Sequence, residues 1–284
     1  MPKKIAFLGP IGTYTDEASY LYAPSAERVP FASLGLVMSA LEEGNVDEAV
    51  VPIENSLGGT VIEVVDFLIA SEKSQIKGEF LLPIDHCLIT RPGVKLSDIR
   101  VVVSKQEALT QCRQFLAREL RFAEQVPATS TALAVVDLKE ADDRTAAIGP
   151  RRSAELAGLP VLAHGIQDRK NNVTRFAVLA SSVMPPSGSD KTTIAFDFDK
   201  PDAPGLVYGA MRPFADRGIN LTKIESRPTG TGMGNYIFLL DLEGHIDEPH
   251  VQQAITELQG RTSTFKVLGA YPRAEGMSVR QLDE

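Results

Sequence analysis

Between residues 3 and 180 the chain repeats one pattern five times: a short apolar run stops at a turn of glycines, hydroxyls or amides, and an amphipathic helix follows. Short apolar runs bounded by turn signals are buried strands, and strands that alternate with helices lie mostly parallel in one α/β region. Such a fold collects strand ends and helix starts on one side. Ligands of open α/β sheets bind there.

The first run, 5–8, meets Gly9-Pro10-Ile11-Gly12-Thr13-Tyr14-Thr15, after which Asp16 and Glu17 stand where acidic side chains complement a helix dipole. Its glycines and hydroxyls suit an anion, but the Lys-Ser/Thr ending of a P-loop and the full dinucleotide fingerprint are missing. The second run, 48–53, meets Glu54-Asn55-Ser56-Leu57-Gly58-Gly59, and Thr60 with Glu63 has the spacing of a capping box for a helix through 69. The third, 100–103, meets Ser104-Lys105-Gln106-Glu107, a second capping-box pattern for a helix continuing through Cys112 and Leu116. Gln111, about two helical turns beyond Ser104, is expected on the same face roughly 10 Å away. Thr129-Ser130-Thr131 and Gly149-Pro150-Arg151-Arg152-Ser153 open two more helices, with Gly158 as the exit of the last. One cap contributes about 1 kcal/mol and needs no function. Their recurrence favours a carboxylate or phosphate ligand in a central cleft.

A further stretch, Asn171-Asn172-Val173-Thr174-Arg175-Phe176, places two amides, a hydroxyl and a guanidinium before the apolar run 176–180. Arg175 is shaped to grip a carboxylate with two parallel hydrogen bonds. A polar turn feeding a core strand accounts for the same residues.

Composition removes several classes. With 284 residues, 43% hydrophobic and 23% charged, the chain is an ordinary globule of one two-lobed domain or two domains. Apolar runs stay short of the roughly 18 residues of a membrane span, and the N-terminus passes straight into a strand with no secretory or transit pattern. Cys87 and Cys112 suit buried apolar positions in a reducing compartment, and His86, His164, His245 and His250 are scattered, so no metal site is expected. A net charge of −8 argues against a nucleic-acid partner and leaves an anionic substrate to be held by local groups. Residues 184–190, rich in Pro, Gly and Ser, read as a linker. Beyond them the order βαββαβ over 191–273 predicts a ferredoxin-like sandwich whose edge strands favour pairing with a second copy. Residues 274–284 form a tail.

Taken together, Gly9 to Thr15, Val51-Pro52-Ile53-Glu54-Asn55-Ser56, the helix start from Ser104 to Cys112, Asn171 to Phe176 and Glu225-Ser226-Arg227-Pro228 resemble the prephenate dehydratase family over nearly the whole chain. The resemblance implies a catalytic region over 1–183 with two lobes, similar to periplasmic binding proteins, and an active site in the cleft between them. It implies an ACT regulatory domain over 191–273. The implied reaction is the decarboxylating dehydration of prephenate to phenylpyruvate in L-phenylalanine biosynthesis. No cofactor is implied, because aromatisation supplies the drive. Thr174, Glu54, Asn55, Ser104 and Gln111 match the family's active-site residues, and Ser56, Arg175, Thr13, Thr129 and Ser130 are expected to bind substrate. Phenylalanine, as allosteric effector, is expected at Gly205, Leu206, Asn220, Leu221, Glu225 and Ser226. Gly205-Leu206-Val207 departs from the family's Gly-Ala-Leu type at its second residue. A homodimer or homotetramer in the cytoplasm is expected, in the monofunctional form, since no chorismate mutase segment precedes Lys3. Arogenate dehydratase shares the motifs, and a two-lobed amino-acid sensor without chemistry is the remaining alternative.

Overall fold

A computed structural model describes residues 2–198, 203–228 and 236–274, so the expected tail lies outside the described residues except for Ala274. Packing divides these residues into two compact units, 2–61 with 81–176 and 62–80 with 177–274. The segment 62–80, inside the expected catalytic region, thus packs with the C-terminal unit.

The chain opens with β1 (Lys4–Leu8), α1 (Tyr14–Tyr22), β2 (Glu27–Phe31), α2 (Leu34–Glu42), β3 (Glu48–Asn55) and β4 (Gly59–Thr60). After α3 (Ile62–Ala70) come β5 (Gln75–Pro83), β6 (Cys87–Ile89), β7 (Val101–Ser104), α4 (Gln106–Gln111), α5 (Arg113–Glu119), β8 (Glu124–Pro127) and α6 (Thr131–Asp137). β9 (Thr145–Gly149), α7 (Arg151–Ala157), β10 (Val161–Ala163) and β11 (Val173–Ala180) follow. One sheet has the order β2-β1-β3-β11-β5, with β4 on β3; the other runs β10-β6-β9-β7-β8. β1 pairs in parallel with β2 and β3, as β7 does with β8 and β9, whereas β6 is antiparallel to β9 and β10. Ile5, Ala6, Phe7, Ala49, Val50 and Val51 are fully buried, as expected of strands covered on both faces. In the second sheet alternation decides the partners: Leu88, Ala146 and Ile148 pack on Leu109, Cys112 and Leu116, while Cys87, Ile89 and Ala147 face Ala134 and Val135. Burial pushes the Cys87 and Cys112 thiols up, to about 11 and about 12, so both remain un-ionised apolar residues.

Four sequence expectations are corrected. Ser104 caps no helix: it ends β7, fully buried, and its hydroxyl donates to Ile148 O at 2.6 Å because a buried O–H needs an acceptor. The helix beyond it breaks at Cys112, whose backbone (φ −109°, ψ 17°) separates α4 from α5. Thr60 lies in β4, paired with Glu54, so α3 begins at Ile62. β11 starts at Val173, which places Thr174 and Arg175 inside a strand.

The second unit contains β12 (Asp190–Phe198), α8 (Leu206–Ala215), β13 (Leu221–Pro228), β14 (Tyr236–Glu243), α9 (Pro249–Gln259) and β15 (Thr262–Pro272). Its antiparallel sheet, β13-β14-β12-β15, has the ferredoxin-like order. Phe196, Phe214, Leu240, Leu242 and Leu258 form its core. Asp190, placed in the expected linker, is buried at the start of β12 and accepts from Ser187 Oγ at 2.6 Å and Ser187 N at 2.7 Å. α3 and the start of β5 are tied to this sheet. Lys266 Nζ donates to Ile69 O at 2.8 Å, Lys191 Nζ meets Glu79 Oε1 at 2.7 Å, and Arg227 clasps Asp66 with two hydrogen bonds. A Cβ at Gly269 would sit 2.3 Å from Ile76 O, an approach that glycine alone permits.

Candidate active site

The site is built where β3 ends and β11 begins. Ser56 staples the two: its N–H donates to Val173 O, its hydroxyl donates to Asn171 O, and the same oxygen accepts from Val173 N, each at 2.9 Å. Asn55 Oδ1 accepts the N–H groups of Leu57 and Gly58, both at 2.9 Å. This Asx turn fixes which end of the amide faces inward. Asn55 Nδ2 therefore donates, to Asn172 Oδ1 at 2.8 Å and to Thr174 Oγ1 at 2.9 Å. Asn172 Nδ2 in turn donates to Gln111 Oε1 at 3.1 Å. The same oxygen lies 2.8 Å from His86 Nε2, which must carry a proton because a carbonyl oxygen can only accept.

Behind this row sits Tyr14, whose single hydroxyl proton has two acceptors within reach, Asp85 O at 2.8 Å and His86 Nδ1 at 3.0 Å. The two rings meet edge to face at 5.9 Å. Burial holds the His86 imidazole below its ordinary range, against the Gln111 hydrogen bond and the charge of Asp85, so it is neutral near pH 7. Burial likewise holds Tyr14 well above the usual phenol range.

Thr174 is 8% exposed. Its oxygen accepts from Asn55, and among the described residues nothing accepts its proton. Arg175, expected to grip a carboxylate, lies with Nη1 3.2 Å from Glu54 Oε2. Beside the row a cavity of about 280 Å³ is lined by Leu57, Thr110, Gln111, Gln167, Asp168, Arg169 and Asn172, and the Asp168 carboxylate accepts from Gln114 N at 3.0 Å. Among the described residues no three His, Cys, Asp or Glu side chains group as a metal site would need.

Of the residues singled out in the sequence, the structure gathers Asn55, Gln111 and Thr174 into one network, with Ser56 and the Glu54–Arg175 pair at the same strand ends. Ser104 is occupied with Ile148 O. Thr13 is the N-cap of α1, accepting from Asp16 N and donating toward Pro10 O, and Ser130 is the N-cap of α6. Thr129 is exposed. In the C-terminal unit Gly205 takes φ 87° at the N-cap of α8, ahead of Leu206, and Glu225 and Ser226 lie toward the end of β13. Asn220 and Leu221 lie at the other end of that strand, where Asn220 borders a second cavity of about 280 Å³ with Gly218, Glu243 and Arg273. His86 and Arg169 lie outside the stretches that mark the site in the sequence, whereas Asn172 and Tyr14 lie within two of them, 171–176 and 9–15, where nothing gives either a role of its own. A lone histidine between two buried strands was the signal available for His86.

The fold and this site define a two-lobed α/β enzyme followed by a ferredoxin-like regulatory module. The prephenate dehydratase family model matches residues 5–183 and the ACT domain model residues 200–260, and the chain belongs to the prephenate dehydratase family, whose members are decarboxylating lyases. It is 36% identical to the prephenate dehydratase of Mycolicibacterium vanbaalenii, over 99% of this chain and 95% of that one. The crystal structure of a prephenate dehydratase from Arthrobacter aurescens in complex with L-Phe superposes with a TM-score of 0.87 at 36% identity, covering 95% of this chain and 90% of that one. A structure described as a novel type of quorum quenching acylase gives 0.86 at 29% identity, covering 96% and 99%.

Proposed function

We propose that the chain converts prephenate to phenylpyruvate at the Asn55–Thr174 strand ends and that phenylalanine regulates it through the C-terminal module. The observation that carries the reading is the Thr174 hydroxyl, whose oxygen is held by Asn55 Nδ2 at 2.9 Å while its proton is unclaimed among the described residues. In the reaction the ring–carboxylate bond breaks to release CO2, its electron pair aromatises the ring, and the ring hydroxyl departs. Charge develops on that oxygen, and a donor fixed in place beforehand stabilises it. A threonine hydroxyl is too weak an acid to give up its proton at neutral pH, so Thr174 donates a hydrogen bond while a water supplies the proton that completes the departing water, Glu54 being paired with Arg175. Arg175 and Gln111 hold substrate carboxylate oxygens. An acylase would need a base on its nucleophile. Here Thr174 faces an amide, and His86 Nε2 is already protonated, which favours dehydration.

Phenylalanine as effector is supported by the ACT match and by the L-Phe in the Arthrobacter aurescens relative. β13 is an edge strand with Ile224 half exposed, and pairing of that edge with a second copy makes the protein a homo-oligomer that encloses Gly205, Leu206, Glu225 and Ser226. Among the described residues no helix is long and apolar enough to cross a membrane. The two free thiols suit a cytoplasmic location.

The test is phenylpyruvate formation from prephenate, with arogenate and an acylase assay in parallel, with and without phenylalanine. Turnover of prephenate that falls with phenylalanine supports both halves. Phenylalanine binding without turnover on any substrate makes the chain a sensor and removes the role of Thr174.

A further inference from the structure

An amide such as Gln111 has no intrinsic preference between its two end-for-end orientations; its neighbours choose. Two donors converge on one end of it, His86 Nε2 at 2.8 Å and Asn172 Nδ2 at 3.1 Å, and both claim an oxygen. The other end, the Gln111 NH2, has no partner among the described residues, and Gln111 lines the cavity of about 280 Å³. We propose that His86 is a positioning residue that commits Gln111 to present its NH2 to the cavity as a donor to a substrate oxygen. The proposal rests on the reading given above, that Gln111 holds a carboxylate oxygen of prephenate.

His86 is built for such a task and for no direct one. It is 3% exposed, so it acts through its neighbour. Its backbone is held on both sides: His86 N donates to Gln167 Oε1 at 3.0 Å, and His86 O accepts from Ile166 N at 3.2 Å. Gln167 Nε2 is itself fixed on Asp85 Oδ1 at 2.9 Å. The ring is steadied by Tyr14 at its edge. Without the Nε2–H, the Gln111 oxygen keeps one donor in place of two, and the flipped amide, with its oxygen toward a substrate carboxylate, becomes populated. That orientation repels an anion in the ground state and the transition state alike. The expected loss is therefore in KM.

Nitrogen NMR of the histidine rings in the wild-type protein reads the tautomer directly, without substrate. An Nε2–H signal for His86 near neutral pH is expected; an Nδ1–H tautomer overturns the proposal. Kinetics on prephenate then follow. His86→Leu should raise KM about tenfold with kcat within about twofold, and His86→Gln, whose amide N–H reaches the same oxygen, should recover most of the loss. In a Gln111→Met background His86→Leu should change KM by less than about twofold. Fully multiplicative effects of the two changes, or a fall in kcat alone, overturn it. Should His86→Leu not fold, the tautomer and the kinetics of His86→Gln, expected near wild type, decide. Absence of turnover in the wild type points to failure of the functional reading, whereas an Nδ1–H tautomer points to failure of this one.

Discussion

Two strand-end turns of this chain look alike in sequence and differ in what they leave over. The turn after β1 has two glycines, two threonines and an acidic helix start; the turn after β3 has two glycines, an amide and a hydroxyl. In the first, the chain supplies its own anion. Asp16, fully buried, accepts from Gly12 N at 2.9 Å and Arg152 Nε at 2.8 Å and pairs with Arg28, while Thr13 caps α1. In the second, Asn55 closes the turn with its oxygen and passes its donors onward to Asn172 and Thr174, so that the row ends in donors with no partner among the described residues. Glycines and hydroxyls at a strand end show that an anion fits; the bookkeeping of donors shows whether it is already there.

That contrast can be broken most directly at Thr174. Thr174→Ala should lower kcat by about a hundred- to a thousandfold with little change in KM, and Thr174→Ser should keep most of the activity, measured as phenylpyruvate formation. Equal losses in both would remove the hydroxyl from the argument. Asp16→Asn should do the reverse, destabilising the fold by about 3 kcal/mol because Arg28 and Arg152 lose their buried counter-charge, while KM of the folded enzyme stays within about twofold. Chemical denaturation measures the first quantity. An Asp16→Asn protein of unchanged stability and greatly raised KM would make the first turn a substrate site. Thr13→Ala, a lost cap, should lower stability by about 1 kcal/mol with unaltered kinetics. The smallest effect concerns pH. The folded His86 has its pKa depressed, so the unfolded chain binds the proton more readily and stability is lost as pH falls through the ordinary imidazole range and below. The drop in melting temperature from about pH 7 to about pH 5 should be shallower in His86→Gln than in wild type. Equal slopes would show that the imidazole titrates as freely in the fold as outside it.

Much of the fold was legible because its strands are apolar on both faces: Ile5 to Phe7 and Val50 to Val51 admit few other readings. β11 begins three residues ahead of the apolar run 176–180, a start that the sequence hides because Thr174 and Arg175 are polar. Their burial is paid for by Asn55 and Glu54, which no local window contains. Ser104 misled for the complementary reason, since a hydroxyl at a strand end serves equally as a cap or as a donor to the neighbouring strand, and only the pairing with β9 decides. The candidate site was legible as a set of residue types and illegible as a network. Its bonds join residues 117, 61 and 72 positions apart, Asn55 to Asn172, Asn172 to Gln111 and Tyr14 to His86, and their direction follows from the Asx turn at Leu57 and Gly58.

The two family matches lie end to end in sequence, yet the segment 62–80, inside the first, packs with the C-terminal unit. Asp66 is held by Arg227, the end of α3 by Lys266, and Ile76 by the missing side chain of Gly269. A gene cut after residue 183 would therefore not release a finished catalytic piece: it would strand a helix and the start of a strand whose buried faces were shaped by sequence downstream of the cut. Any transplant of the regulatory module between relatives must carry α3 along or rebuild its seat, so the two matched segments are expected to be inherited as one heritable part.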